Sequence, residues 1–139
     1  MHMTVVYWSG TGNTAAMAAF IAAGAQEAGA EVKLLEVGEA SAADIEQADL
    51  VALGCPAMGA EVLEESTFEP YWQAVKGLLK GKKLALFGSY GWGDGEWMRT
   101  WQEDAMAAGA NLFSGEGLMA NYAPDEAECK TFGTSFAKA

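Results

Sequence analysis

The chain has 139 residues, 51% apolar and 19% charged, with a net charge of −11. That length and composition suit one domain spanning 1–139 with a core of its own, and exclude a disordered chain. The acidity excludes nucleic acid and anionic membrane surfaces as partners, and the longest apolar run, Ala15–Ala25, is far too short to span a bilayer.

Met3–Trp8 reads as a buried strand. Asn13–Ala28 follows with small and apolar residues at helical spacing, and Gly29 supplies its stop. Glu31–Val37 is a second strand, and Ser41 with Asp44 has the capping-box pattern that opens a short helix. Asp49–Cys55 is a third strand, apolar on both faces. Ser66 with Glu69 repeats the capping-box pattern ahead of a helix running to about Leu79. Lys83–Ser89 is a fourth strand, and a helix over 96–108 stops at Gly109. Asn111–Met119 is a fifth strand, and Pro124-Asp125 starts a last helix towards Lys138.

Five βα units in succession predict an α/β fold. The expected form is a doubly wound, five-stranded parallel sheet in the order 2-1-3-4-5, with helices on both faces. Ligands of such sheets bind beyond the carboxyl ends of the strands, where the strand order reverses. The chemistry is therefore expected in three loops, residues 9–14, 55–65 and 89–95.

Charge and cysteine usage narrow the setting. Residues 1–75 hold 11 Asp/Glu against one Lys, while residues 76–139 hold 8 against 7 Lys/Arg. Such an acidic half attracts basic proteins, and it also serves solubility. Cys55 and Cys129 form no CxxC motif, and no basic segment precedes the first strand, so a reduced, cytoplasmic setting is expected. The one histidine, His2, leaves no basis for histidine catalysis or a histidine metal site.

The loop Ser9-Gly10-Thr11-Gly12-Asn13-Thr14 joins a buried strand to a helix start. Its glycines allow a tight fold with several N–H groups converging at a helix N-terminus, which favours an anion. Ser9, Thr11 and Thr14 add hydroxyls and Asn13 an amide. A Walker loop would need a lysine that is absent. Gly10, Gly12 and Ala15 also satisfy a loose GxGxxA dinucleotide pattern, with Glu36 as the ribose-binding acid. Four polar side chains in six residues suit a terminal phosphate monoester better. A capped turn without a ligand is the plainest alternative.

The segment Tyr7–Thr14 resembles the phosphate loop of flavodoxins, the type example of the switch-point rule above. The likeness extends along the whole chain. Gly54–Gly59 and Gly88–Met98 resemble the flavin loops of short-chain flavodoxins from anaerobic bacteria, and the roughly 20-residue insertion of the long-chain type in the fifth strand is missing. The resemblance implies bound FMN and single-electron carriage. Residues matching Ser9, Gly10, Thr11, Gly12, Asn13 and Thr14 would hold the FMN phosphate. Met58 would lie on one face of the isoalloxazine and Trp92 on the other. Both suit the role, since methionine packs well on aromatic faces and an indole between two glycines is free to stack. Trp97 and Trp101, four apart on a helix, read instead as core.

Glu61 matches the family carboxylate that accepts from flavin N3–H; its plain alternative is a solvated loop acid. Backbone N–H groups of Gly91, Trp92 and Gly93 would meet the pyrimidine edge, beside Ser89 and Tyr90, and Asn121 would reach the ribityl chain. Pro56 and Ala57 line the second loop. Pro56 replaces a hydroxyl residue seen in some relatives, and Ala60 stands where many carry a polar residue or glycine. The resemblance further implies that the Gly59–Ala60 peptide flips on the first electron, so that the Gly59 carbonyl accepts from N5–H of the semiquinone.

The leading function is a low-potential electron carrier that shuttles between oxidoreductases as a monomer. Glu61, Glu64, Glu65, Glu69, Asp94 and Glu96 would ring the flavin edge and meet basic patches on redox partners in transient complexes. The alternative is a small FMN-dependent NAD(P)H or quinone reductase, for which the chain has no spare segment to build a substrate pocket.

Overall fold

Alternate residues of a strand point to opposite faces of its sheet, and three strands here are apolar on both. In the computed structural model, which describes residues 1–59 and 61–139, these are β1 (His2–Tyr7), β3 (Leu50–Gly54) and β4 (Lys83–Tyr90). Val6, Val51, Leu53, Leu84 and Leu86 turn to one face and pack into a core with Ile45, Phe68, Trp72, Trp97 and Trp101. Met3, Val5, Leu50, Ala52, Ala85 and Phe87 turn to the other, against Met17, Ile21 and Phe136. Helices must therefore cover both faces. The first core lies under α2 (Ala42–Glu46), α3 (Phe68–Val75) and α4 (Glu96–Ala107), the second under α1 (Asn13–Glu27) and α5 (Glu126–Ala137).

With β2 (Glu31–Glu36) at the edge, the sheet runs β2-β1-β3-β4-β5 and every pair is parallel, the order expected from the βα alternation. The first capping box also forms: the Asp44 carboxylate accepts from Ser41 N at 2.8 Å and from Ser41 Oγ at 3.1 Å.

Two elements differ from expectation. The fifth strand is not continuous over Asn111–Met119. It is β5 (Asn111–Leu112) and β6 (Leu118–Asn121), both paired with β4. Leu84 pairs with Leu112 and Phe87 with Leu118, so two residues of β4 stand opposite five of the return chain. The cause is the turn-forming Ser114-Gly115-Glu116-Gly117 inside an apolar run. Ser114 and Gly115 take φ of 67° and 75°, and Gly117 N–H leaves the ladder to donate to Gln102 Oε1 at 2.8 Å.

The Ser66–Glu69 capping box does not form either. Thr67 is the N-cap of α3 and its side chain makes no cap bond. Glu64 folds onto the helix start instead, accepting from Thr67 N and Phe68 N at 2.8 Å, from Ser66 N at 2.9 Å and from Ser66 Oγ. The two donors that the box would have shared both go to Glu64: its carboxylate takes the Ser66 N–H and its backbone O takes the Glu69 N–H at 2.8 Å.

Candidate functional site

The carboxyl ends of β1, β3, β4 and β6 open onto one edge of the sheet, and the three loops meet there. Trp8 N–H donates to Gly54 O at 3.0 Å, extending the β1–β3 ladder into the first loop. Ser9 Oγ accepts from Gly12 N at 3.1 Å. Gly12, with φ 99°, is the N-cap of α1 and has no side chain to cap with. The first turn of α1 carries no acid, whereas α2, α3, α4 and α5 each carry one or two. The open N–H groups and the positive end of the helix dipole are thus left free towards the loop.

Thr11 is exposed and Asn13 half-buried, while Thr14 is 1% exposed. Thr14 Oγ1 lies 3.0 Å from Ser89 Oγ and accepts from Ser89 N at 3.3 Å. The pair ties the first loop to the end of β4. When Ser89 donates from both atoms, Thr14 keeps its own proton for an anion.

The second loop is pinned along its length. Cys55 N donates to Phe87 O at 3.1 Å and Ala57 N to Ser89 O at 3.0 Å. Glu61 N–H donates to Met58 O at 2.8 Å and Met58 N–H to Val62 O at 3.0 Å. Ala60 lies outside the described residues. Glu61 itself takes φ 55°, and its carboxylate crosses to the start of α4, where Oε2 accepts from Trp97 N at 3.0 Å. A Cβ on Gly93 would sit 1.3 Å from Glu61 Oε1, so only glycine lets the carboxylate lie there. Glu61 is therefore a bridge between the second and third loops, not a solvated acid.

Glu64, expected on the exposed flavin rim, is 5% exposed and faces α3. Burial alone would raise its pKa, but the Ser66 hydroxyl and the backbone N–H groups of Phe68, Ser66 and Thr67 outweigh burial and bring it to about 2. Beneath the loop Cys55 is fully buried, and burial, with the charges of Glu64 and Glu69 adding to it against one hydrogen bond from Glu64 N–H, pushes its thiol up to about 12. That thiol stays protonated and unreactive.

The third loop is shaped by aromatics. Trp97 and Trp101 are core, 1% and 2% exposed, as their helical spacing predicts. Trp97 Nε1 donates to Cys55 O at 3.0 Å, and the Tyr90 ring packs tilted against Trp97 at 5.7 Å. Trp92 stands 81% exposed. Asn121 Nδ2 donates to Gly91 O at 2.8 Å, which leaves its amide oxygen for another partner. Tyr122 is absent from the sequence expectations. Its N–H donates to Tyr90 O at 2.7 Å, it takes φ 59°, and its ring lies 3.2 Å from where a Cβ on Gly91 would be. An aromatic just past the carboxyl end of the last strand is the signal that would have found it.

These elements enclose a cleft of about 250 Å³ lined by Trp8, Gly10, Thr11, Asn13, Pro56, Ala57, Met58, Ser89, Tyr90, Gly91 and Tyr122. Nine of the expected residues form its wall. Ser9, Gly12, Thr14, Gly59, Glu61, Trp92, Gly93 and Asn121 are not on the wall; most of them shape or extend its rim through the contacts above. One end offers helix N–H groups and neutral hydroxyls, the other Met58 and aromatic rings. Such a donor set suits an elongated planar ligand ending in a phosphate. Among the described residues no helix is long and apolar enough to cross a membrane.

The family model of flavodoxin matches residues 5–132. Flavodoxins of Megasphaera elsdenii and Clostridium beijerinckii are each 47% identical to the chain. The first match spans 136 residues, 97% of this chain and 98% of the relative, and the second 137 residues, 97% and 99%. The solution structure of two-electron reduced Megasphaera elsdenii flavodoxin superposes with a TM-score of 0.91 at 46% identity, covering 99% of both chains.

Proposed function

The chain belongs to the flavodoxin family, and on that premise we propose that it is a low-potential carrier of single electrons between oxidoreductases. Flavodoxins are FMN-binding electron-transfer proteins, and the residues present here fit that group. The observation that carries the reading is the N-terminus of α1. It is uncapped, free of acids in an otherwise acidic chain, and opens beside a cleft with an apolar far end.

Ser9, Thr11, Asn13, Thr14 and the first N–H groups of α1 would hold the phosphate. Met58 and Trp92 would cover the ring faces. The Glu61 oxygen not used by Trp97 would accept from flavin N3–H, the backbone of 91–93 would meet the pyrimidine edge, and the Asn121 amide oxygen would meet the ribityl chain. When bound, FMN supplies reversible uptake of one electron at a time. The chain's part is to orient it, keep water from the buried ring and leave one edge exposed for transfer. Residues 1–139 act as one FMN domain, a cytoplasmic monomer that meets basic patches on its partners through Glu61, Glu65, Glu69, Asp94 and Glu96.

The test is electron transfer from the reduced, FMN-loaded protein to a basic cytochrome across a salt series. The rate should fall as the Debye length shrinks from about 10 Å towards ~3 Å. Steady oxidation of NAD(P)H by the protein alone, with no transfer to the cytochrome, would make it a reductase instead.

A further inference from the structure

Among the described residues, three that are not glycine take a positive φ: Glu61, Ser114 and Tyr122. Ser114 belongs to the break between β5 and β6, and Glu61 to the bridge from the second loop to α4. Tyr122, at φ 59°, stands just past β6 and serves neither purpose. For a bulky side chain this conformation is strained, whereas glycine takes it freely. An aromatic residue kept there at that cost needs a reason in its ring, and strain of this kind gathers at ligand clamps.

Core packing does not supply that reason. Tyr122 is 60% exposed and belongs to neither core. It stands instead on the wall of the cofactor cleft, on the third-loop side with Tyr90 and Gly91. Its place is fixed from two directions. Tyr122 N–H donates to Tyr90 O at 2.7 Å. The phenol end of the ring lies against Gly91, where a Cβ would come within 3.2 Å of Cε1 and 3.5 Å of the hydroxyl. The other aromatics of that side are placed differently. Tyr90 is packed on Trp97, and Trp92 stands off the wall, almost wholly exposed. Tyr122 is thus the ring that the third-loop side holds in place with a face left for a ligand.

We infer that Tyr122 is a further cofactor-binding residue, whose ring packs against the flavin and ribityl part of FMN. The assignment rests on the FMN reading above. The phosphate is not its target: the donors for that group come from residues 9–14, and the negative face of an aromatic ring does not favour an anion. A ring already held in the free protein adds contact area without a further ordering cost on binding. The strain at Tyr122 is offset when the cofactor fills the cleft.

The test titrates the full chain with FMN and with riboflavin, for the parent, Tyr122→Gly and Tyr122→Phe. Tyr122→Gly should weaken both ligands by the same factor, roughly fivefold or more, and Tyr122→Phe, which keeps the ring, should stay within about twofold of the parent. Glycine takes the positive φ without strain, so the thermal midpoint of the flavin-free Tyr122→Gly protein should not fall; a merely structural role would lower it. In the FMN-loaded parent, nuclear Overhauser cross-peaks should join the Tyr122 ring protons to protons of the cofactor. Unchanged affinities, a loss confined to FMN with riboflavin spared, or missing cross-peaks would each overturn the assignment. Because none of these readouts needs electron transfer, a protein with the ring contact that passes no electrons to the cytochrome defeats the carrier reading alone. One that binds FMN and passes electrons with no ring contact defeats the Tyr122 assignment alone.

Discussion

The Glu61 carboxylate accepts the backbone N–H of Trp97, 36 residues away, at 3.0 Å. It caps α4 from another loop, so the geometry of the second loop and the start of α4 are set together. Glu61→Ala removes the acceptor and should cost about 0.5–2 kcal/mol of stability, the range of lost helix caps. Glu61→Gln keeps an acceptor oxygen and should recover most of it. Denaturant midpoints of the FMN-free proteins check this; equal midpoints for the alanine variant and the parent would show the cap to be idle.

Glu64 links stability to pH. Its folded pKa, about 2, lies below its ordinary 4.5, so the folded state binds fewer protons there than the unfolded state. The contribution is complete above about pH 4.5 and is lost as pH falls towards 2. Glu64→Gln should lower the urea midpoint at pH 7 and flatten its decline between about pH 5 and 2. A variant that falls as steeply as the parent would rule out Glu64 as a source of that decline.

These two carboxylates show where sequence reading stops. The sheet order and the three loops were legible because β1, β3 and β4 are apolar runs alternating with helices, and the period-2 split of their residues needs no long-range knowledge. The roles of Glu61 and Glu64 were not. Glu61 and Glu64 sit three residues apart among further acids, and nothing local says that one crosses to α4 while the other turns back to α3. The Ser66–Glu69 spacing even favours a capping box that Glu64 pre-empts. The break in the fifth strand was legible in principle from Ser114-Gly115-Glu116-Gly117, but the apolar residues on either side outweighed it.

The phosphate loop separates two threonines. Thr11 is exposed and Thr14 is buried against Ser89. Thr11→Ala should weaken FMN by roughly 1–2 kcal/mol and leave the FMN-free fold alone. Thr14→Ala should weaken FMN and also destabilise the FMN-free protein by about 1–3 kcal/mol, because Ser89 loses a buried partner. Riboflavin, lacking the phosphate, should bind far more weakly than FMN and be insensitive to Thr11→Ala. Calorimetry with both ligands, beside thermal melts, distinguishes these effects.

Gly59 has room for a side chain: among the described residues a Cβ built there meets nothing within 4 Å, and its φ is outside the left-handed region. Gly59→Ala should therefore leave affinity for oxidised FMN nearly unchanged. If the Gly59–Ala60 peptide turns over on the first electron and Gly59 then needs positive φ, alanine resists that turn. A lost hydrogen bond of about 1 kcal/mol would lower the first one-electron potential by ~40 mV. An unchanged first potential would mean that no such turn occurs.

The most direct test of the carrier account is the second one-electron potential of the FMN-loaded protein. Full reduction of bound FMN would add negative charge beside its phosphate and in the acidic half of the chain, where Glu61, Glu65 and Glu69 have no ion-pair partner among the described residues. A like charge ~8 Å away at an effective dielectric of ~40 costs about 1 kcal/mol, and about 1.4 kcal/mol corresponds to ~59 mV for one electron. Several such charges should place the second couple well below that of free FMN in a potentiometric titration, as a low-potential donor requires. A second couple equal to that of free FMN would contradict the account.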